Sequence, residues 1–396
     1  MTVHSFRIAA PALEMETPAR VMPTPAAVNR KLRVLMVTPR YFPYMGGVEN
    51  HVYQVARRLV HAGTDVTVLT TDPTGNLAAQ EEVAGVKIQR VRAWPAERDY
   101  YFAPQVRSVI RNGGWDIMHL QSYHTLVAPL AMQAALQMRL PYVVTFHGGG
   151  HSSALRNRLR SVQQAALRPL LARASRLIAV ANFEIEHYGQ RLHLAPERFV
   201  VIPNGSDLAL NAAAPASAID RDHKLILSVG RLEQYKGHQR IIAAMPYILA
   251  HYPNARLRVV GEGPYKAALQ AQCAELGLTH VVEIGGIPAA ERSHMAATIA
   301  GADVVTLLSD YETHPIAALE ALALKRPVLV TETSGSAELA ARGVARSIPL
   351  QSTPQAVAQA VIAQIEQPLV SAELDLPTWD DCARELLLLY RGVAGR

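Results

Sequence analysis

Two glutamates eight residues apart, Glu312 and Glu320, and two cations, Arg231 and Lys236, are the side chains in this sequence best suited to do chemistry. The glutamates lie in the stretch 309–322, which reads as a loop running into a helix, with both carboxylates at the start of that helix. The cations follow an apolar run that reads as a strand, with Gly230 before them and Gly237 after. Ionised carboxylates accept hydrogen bonds from sugar and ribose hydroxyls. Arginine and lysine neutralise a diphosphate. The four residues together describe a site for a nucleotide-activated sugar. Backbone N–H groups over Thr313, His314, Pro315 and Ile316 add a helix start that can cradle phosphate. Plainer readings stand beside these. Arg231 and Lys236 could sit on a solvated face, and Glu312 could be a first-turn acid that stabilises the helix dipole.

Three further segments end apolar runs in the first half. Gly46 and Gly47 open a helix, where a glycine pair lets backbone N–H groups approach a phosphate, or simply makes a tight turn. His147 precedes three glycines at the end of another run, so its polar tip stands over a cleft unless it is an ordinary loop histidine. Its spacing to His151 suits zinc on a helix, but the intervening glycines oppose a helix, and no metal site is expected. Asn204-Gly205 closes the last run and reads first as a turn.

These segments need a scaffold. β-branched runs at 33–38, 65–70, 86–91, 117–120, 142–146, 177–180 and 199–202 alternate with helical patterns such as 48–62. Each run is apolar nearly throughout, as in a parallel sheet buried on both faces. The pattern pauses over 211–222 and restarts at 225–229, 257–260, 281–284, 304–308 and 328–331. Two doubly wound α/β domains are therefore expected, at 31–210 and 223–376, joined by the linker 211–222. Residues 1–30 read as a disordered leader. A last helix over 377–396 carries Trp379, Leu386 and Tyr390.

The chain has 396 residues, 49% hydrophobic and 18% charged, ample for two or three domains. No apolar run reaches the roughly 18 residues that a bilayer span requires. Two distant cysteines, Cys273 and Cys382, give no disulfide framework and point to a reducing, cytoplasmic setting. Net charge is +6, which favours anionic partners. The excess is concentrated: residues 151–183 hold six arginines and no acid. Within it Leu155, Leu159, Val162, Ala166 and Leu170 form an apolar stripe, interrupted at Pro169, beside Arg156, Arg158 and Arg160. This reads either as a membrane-surface helix or as a solvated basic face over a core stripe. Nucleic-acid binding is disfavoured because the basic stretch lacks interleaved aromatics.

The ordered set Gly-Gly-Val-Glu at 46–49, Phe-His-Gly at 146–148, Pro-Asn-Gly-Ser-Asp at 203–207, Gly-Arg at 230–231, Lys-Gly at 236–237, Gly-Glu-Gly-Pro at 261–264 and the glutamate pair 312/320 resembles the retaining nucleotide-sugar glycosyltransferases of family four. The resemblance runs from about Arg33 to Tyr390. It implies the GT-B fold, two facing Rossmann-like domains with the last helix crossing back to the first. It implies a donor held mainly on the second domain, with Arg231 and Lys236 on the diphosphate and Glu320 on the ribose. Glu312 and the backbone of Thr313–Ile316 would hold the transferring sugar and phosphate. Ile287 would lie near the base, Gly46, Gly47 and Asn204 would border the donor from the first domain, and His147 would face the sugar. A hexose would pass from a UDP- or GDP-linked donor, without a metal cofactor, to a cell-envelope, lipid-linked or other glycoconjugate acceptor. The acceptor would lie on the first domain, with peripheral contact at the inner face of the cell membrane. The chain departs from many relatives at Thr313-His314, where Phe-Gly is usual, at Arg326 and at Ser334, which leaves the sugar's identity open. A nucleotide-sugar epimerase of the same fold and a non-catalytic sugar-nucleotide-binding subunit are the alternatives.

Overall fold

The computed structural model describes residues 30–44, 46–95, 101–148, 154–206, 223–288, 291–371 and 376–395, with side chains in the helix over 154–171 described from residue 162 onward. The expected leader, linker and His151 lie outside the described residues.

Two parallel sheets organise the chain. The first contains β1 (Arg33–Val37), β2 (Asp65–Asp72), β3 (Gln80–Val83), β4 (Val86–Arg92), β5 (Ile117–Gln121), β6 (Tyr142–Thr145), β7 (Arg176–Ala179) and β8 (Phe199–Val201). Its spatial order is β3-β4-β2-β1-β5-β6-β7-β8. The second contains β9 (Leu225–Val229), β10 (Arg256–Val260), β11 (Val282–Gly285), β12 (Val304–Leu307), β13 (Val328–Thr331) and β14 (Arg346–Ile348), ordered β11-β10-β9-β12-β13-β14. The antiparallel pair β3–β4 is the exception to parallel pairing. Every expected run is a strand, with ends displaced by a residue or two. Edge strands β3 and β14 were not anticipated. β3 carries Gln80, Glu81 and Glu82, all exposed, so it lacks the apolar run that marks an inner strand.

Helices α1 (Gly47–His61), α2 (Val106–Asn112), α3 (Val127–Gln137), α4 (Ala154–Leu171) and α5 (Phe183–Leu192) belong to the first half. Those of the second are α6 (His238–His251), α7 (Lys266–Glu275), α8 (Arg292–Ala300), α9 (Ile316–Ala323), α10 (Ser334–Ala341) and α11 (Pro354–Glu366). The last, α12 (Trp379–Val393), returns to the first sheet and packs on α1. Trp379, Leu386 and Tyr390 join the same buried cluster as Val34, Met36, Val52 and Leu59. Alternate β1 residues, Leu35 and Val37, point to the opposite face and pack with Val127, Leu167 and Leu171. Both faces are therefore dry, as continuous apolar strands require.

Two local expectations are corrected. In α4 the core-stripe reading is the one corrected: Val162 is 65% exposed and Ala166 is exposed, whereas Gln164, Leu167 and Leu171 are buried. The polar Gln164 faces inward because its Nε2 donates to Tyr123 Oη at 2.8 Å. Nor does Pro169 interrupt the helix. The carbonyl it leaves unbonded belongs to Ala165, which is exposed, so water can satisfy it. The side chains of Arg156, Arg158 and Arg160 lie outside the described residues. The second correction concerns Glu312. Helix α9 begins only at Ile316 and has no acid in its first turn, so Glu312 belongs to the preceding loop and Glu320 to the second turn.

Candidate functional site

In each sheet the strand order reverses beside the first strand, between β1 and β5 and between β9 and β12. Loops leaving the carboxyl ends at such a reversal splay apart and leave a crevice. The loop after β1 brings Gly46 and Gly47, the loop after β9 brings Arg231 and Lys236, and the loop after β12 brings Glu312. Sequence distance is thereby converted into proximity.

Lys236 ends a short 3-10 turn, Gln234–Lys236, and Gly237 follows with φ 75°. A side chain there would be strained, and a Cβ would stand 1.8 Å from the Leu308 carbonyl oxygen. Glycine thus permits the two loops to touch, and Lys236 Nζ lies 2.7 Å from Glu312 Oε1. Ser309 Oγ donates to the same carboxylate oxygen at 2.7 Å. Glu312 N–H donates to Ser334 Oγ, and Gly335 N–H to Glu312 O, both at 2.8 Å. Burial opposes the charge on Lys236, but the adjacent carboxylate outweighs it, and the pKa is raised above the usual lysine value. Arg231 is exposed and its Nη2 lies 3.2 Å from Glu233. Glu320, 6% exposed, is held by Arg292 Nη2 at 2.5 Å. Ile287 packs against the cluster containing Leu319 and Ala296.

From the first sheet, Gly46 caps α1 in extended conformation. Glu49 in the first turn is buried, which raises its pKa, while Arg40 at 3.7 Å and the more distant Arg231 of the second half oppose the rise. His147 adopts φ 44°, an uncommon backbone for a non-glycine residue and one often found at functional sites. Its Nε2–H donates to Gln121 Oε1 at 2.6 Å, and burial, with neighbouring histidines, keeps its pKa well below the usual value.

The two loops meet directly at the pair that departs from the family pattern. Thr313 Oγ1 donates to Gly148 O. His314 Nδ1 accepts the Asn204 backbone N–H at 3.3 Å. Asn204 Oδ1 in turn accepts from His51. Asn204 is therefore occupied in joining the halves, a role that a turn reading does not suggest. The residues missed by sequence reasoning are His51, Gln121, Arg292 and Ser309, while Ser334 stood out only as a departure from the family pattern. For His51 the only signal was its place one turn after Gly47 on the helix that the glycine pair opens. Arg292 carried no local signal at all. No helix among the described residues is long and apolar enough to cross a membrane.

Comparison with known proteins identifies the family. Residues 45–210 match the family described as Glycosyltransferase Family 4, and residues 211–375 match Glycosyl transferases group 1. The chain is 30% identical over 300 residues to a GDP-mannose:cellobiosyl-diphosphopolyprenol alpha-mannosyltransferase of Xanthomonas oryzae pv. oryzae, covering 74% of this chain and 76% of that protein. It is 28% identical over 390 residues to a phosphatidyl-myo-inositol mannosyltransferase of Mycolicibacterium smegmatis, covering 92% and 95%. Among solved structures, a sucrose-phosphate synthase from Thermosynechococcus elongatus superposes with a TM-score of 0.74 at 20% identity, over 92% of this chain and 100% of that one. The fold is GT-B, and the chain belongs to the glycosyltransferases of the family four and group 1 type.

Proposed function

We propose that the protein is a retaining, metal-independent transferase that moves a hexose from a nucleoside-diphosphate sugar to a lipid-linked or glycan acceptor. The observation that carries this reading is the braced Lys236–Glu312 pair, 2.7 Å apart, with the exposed charge of Arg231 five residues before Lys236 on the same loop. In the reading, Arg231 leaves Glu233 for the diphosphate, and Lys236 keeps its proton and stabilises the departing phosphate. The two cations supply the positive charge that a leaving diphosphate needs, by electrostatic preorganisation. Glu312 and the Thr313–Ile316 backbone position the sugar, and Glu320 takes the ribose hydroxyls while Arg292 offsets its charge. Gly46 and Gly47 approach the phosphates, Ile287 borders the base, and His147 faces the sugar. Domain one, to residue 210, would hold the acceptor, and domain two, 223–376, the donor. Arg156, Arg158 and Arg160 on α4 would draw the protein to anionic lipid at the inner face of the cell membrane. The name of the Xanthomonas relative makes GDP-mannose the first donor to test.

Thermal-shift titration with UDP, GDP and ADP, with and without EDTA, tests the donor site. Stabilisation by one nucleotide, insensitive to EDTA and abolished in Glu320→Ala, is expected. No shift with any nucleotide at millimolar concentration would overturn the reading. NMR of the product made with the matching sugar nucleotide then reports whether the anomeric configuration is retained.

A further inference from the structure

A buried chain of polar contacts crosses between the two halves beside these groups. At its second-half end, His314 Nδ1 accepts the Asn204 N–H at 3.3 Å. Asn204 is 6% exposed, and its Oδ1 lies 2.7 Å from His51 Nδ1. A carbonyl oxygen can only accept, so neutral His51 carries its proton on Nδ1 and a lone pair on Nε2. That Nε2 is buried and has no hydrogen-bond partner among the described residues. His51 itself is 2% exposed. Its ring meets His147 edge-on, with centroids 4.7 Å apart and planes at 70°. Trp379, at the start of α12, stands against it at 5.7 Å, also at 70°.

His147 needs such support. Its backbone is in the left-handed region, so local preference does not hold it there. Gln121 fixes one ring nitrogen, and the His51 ring limits where the imidazole can turn. A simple packing role for His51 would be served by an apolar side chain. Instead the residue is oriented by an amide whose own backbone is tied to the opposite half. Resting on the transferase reading above, we propose that His51 is a positioning residue: clamped by Asn204, and through it registered to His314 on the donor loop, it seats the His147 ring toward the transferring sugar. Burial lowers the pKa of His51 and of His314 to about 4, so both rings stay neutral and keep their tautomers at neutral pH.

The test compares His51→Asn, His51→Gln and His51→Phe in the full chain. Asparagine places an amide N–H close to the position of Nδ1 and can still donate to Asn204. Glutamine reaches the Nε2 position and cannot. Three readouts are taken: nucleotide release from GDP-mannose and from UDP-glucose with water taking the sugar in place of the acceptor, imidazole ¹⁵N resonances of His147 and His314, and the melting midpoint. Expected for the Gln and Phe variants are a kcat lower by about 10²-fold, as for an ångström-scale misplacement, and displaced His147 resonances. Donor KM should stay within about threefold of wild type, because binding itself is not removed. His51→Asn should restore most of kcat and return the His147 resonances. Wild-type kcat with unmoved His147 resonances in the Gln and Phe variants would overturn the proposal. So would equal losses in Asn and Gln that follow the melting midpoint, which would make His51 a packing residue. The NMR comparison needs no turnover. A wild type that releases no nucleotide from either sugar would count against the donor reading, and the His147 resonances alone would then decide whether His51 seats that ring.

Discussion

Lys236 and Glu312 are each largely shielded from water, so neither charge is stable alone. Lys236→Met leaves a buried carboxylate facing a thioether, and stability should fall by about 3 kcal/mol. Adding Glu312→Gln should recover much of the loss, because no unpaired charge remains. Denaturant midpoints of the two variants check this. A second buried carboxyl behaves in the opposite way. Glu184 is fully buried, its Oε2 accepts the Val180 N–H at 2.8 Å, and burial pushes its pKa up to about 8. The folded chain therefore keeps a proton that the unfolded chain releases between pH 4.5 and 8. Its contribution to stability is full below that window and is lost as pH rises through 8. Glu184→Gln should remove this dependence. The melting advantage of the variant over wild type should grow from pH 5 to pH 8.5, and a constant difference would contradict the assignment. Both carboxyls are plain in the sequence, but only Glu312 sits in a recognisable pattern. What Glu184 does depends on burial, which spacing does not report.

At the scale of elements, legibility followed the hydrophobic signal. Strands such as β1 and β12 could be placed because both of their faces meet helices. β3 escaped because an exposed edge strand needs no apolar residues. The face of α4 was misjudged because a buried glutamine counts as polar, although Gln164 lies in the core with its amide satisfied by Tyr123. The end of the first half shows a tighter dependence. Gly205 lies so close to α12 that a Cβ would stand 2.1 Å from Trp379 N and 2.3 Å from the Thr378 carbonyl carbon. Thr378 caps that helix through a reciprocal pair with Asp381, so it cannot shift cheaply. Gly205→Ala should loosen α12 from the first sheet, seen as faster amide exchange over Trp379–Tyr390. Leu386→Ala, which empties a fully buried site in the same helix, should cost about 3 kcal/mol. The Asn204-Gly205 pair thus read as a turn from sequence, while the reason for its glycine lay some 170 residues downstream.

For the whole molecule, a cluster of four histidines, His51, His147 and His314 beside the junction of the halves and His119 within the first sheet, sets an acid limit. Burial lowers the pKa of His51 and His314 to about 4 and holds those of His119 and His147 well below the usual value of 6.5. The unfolded chain binds protons between those values that the folded chain refuses. The associated stability is present above pH 6.5 and is lost as pH falls toward 4. Urea midpoints should therefore drop between pH 6.5 and 5, less steeply in His51→Asn. The two-sheet plan was readable because its strand–helix alternation repeats on either side of a break. The histidine cluster was not, because His51, His119, His147 and His314 come from four separate segments that only the folded topology gathers.

The return of α12 to the first sheet has a mechanical consequence. The chain leaves that sheet at Ser206 and comes back at Pro377, and the two passages are stitched side by side by Ser206 N–H to Pro377 O at 3.1 Å. A single cord between two bodies lets them spin freely. A pair of cords laid edge to edge behaves as a strap, which folds across its width and resists torsion. Relative movement of the two halves is therefore expected to bend across this paired crossing and not to twist about it, so that the loops bearing Gly47 and Lys236 would meet again in the same alignment.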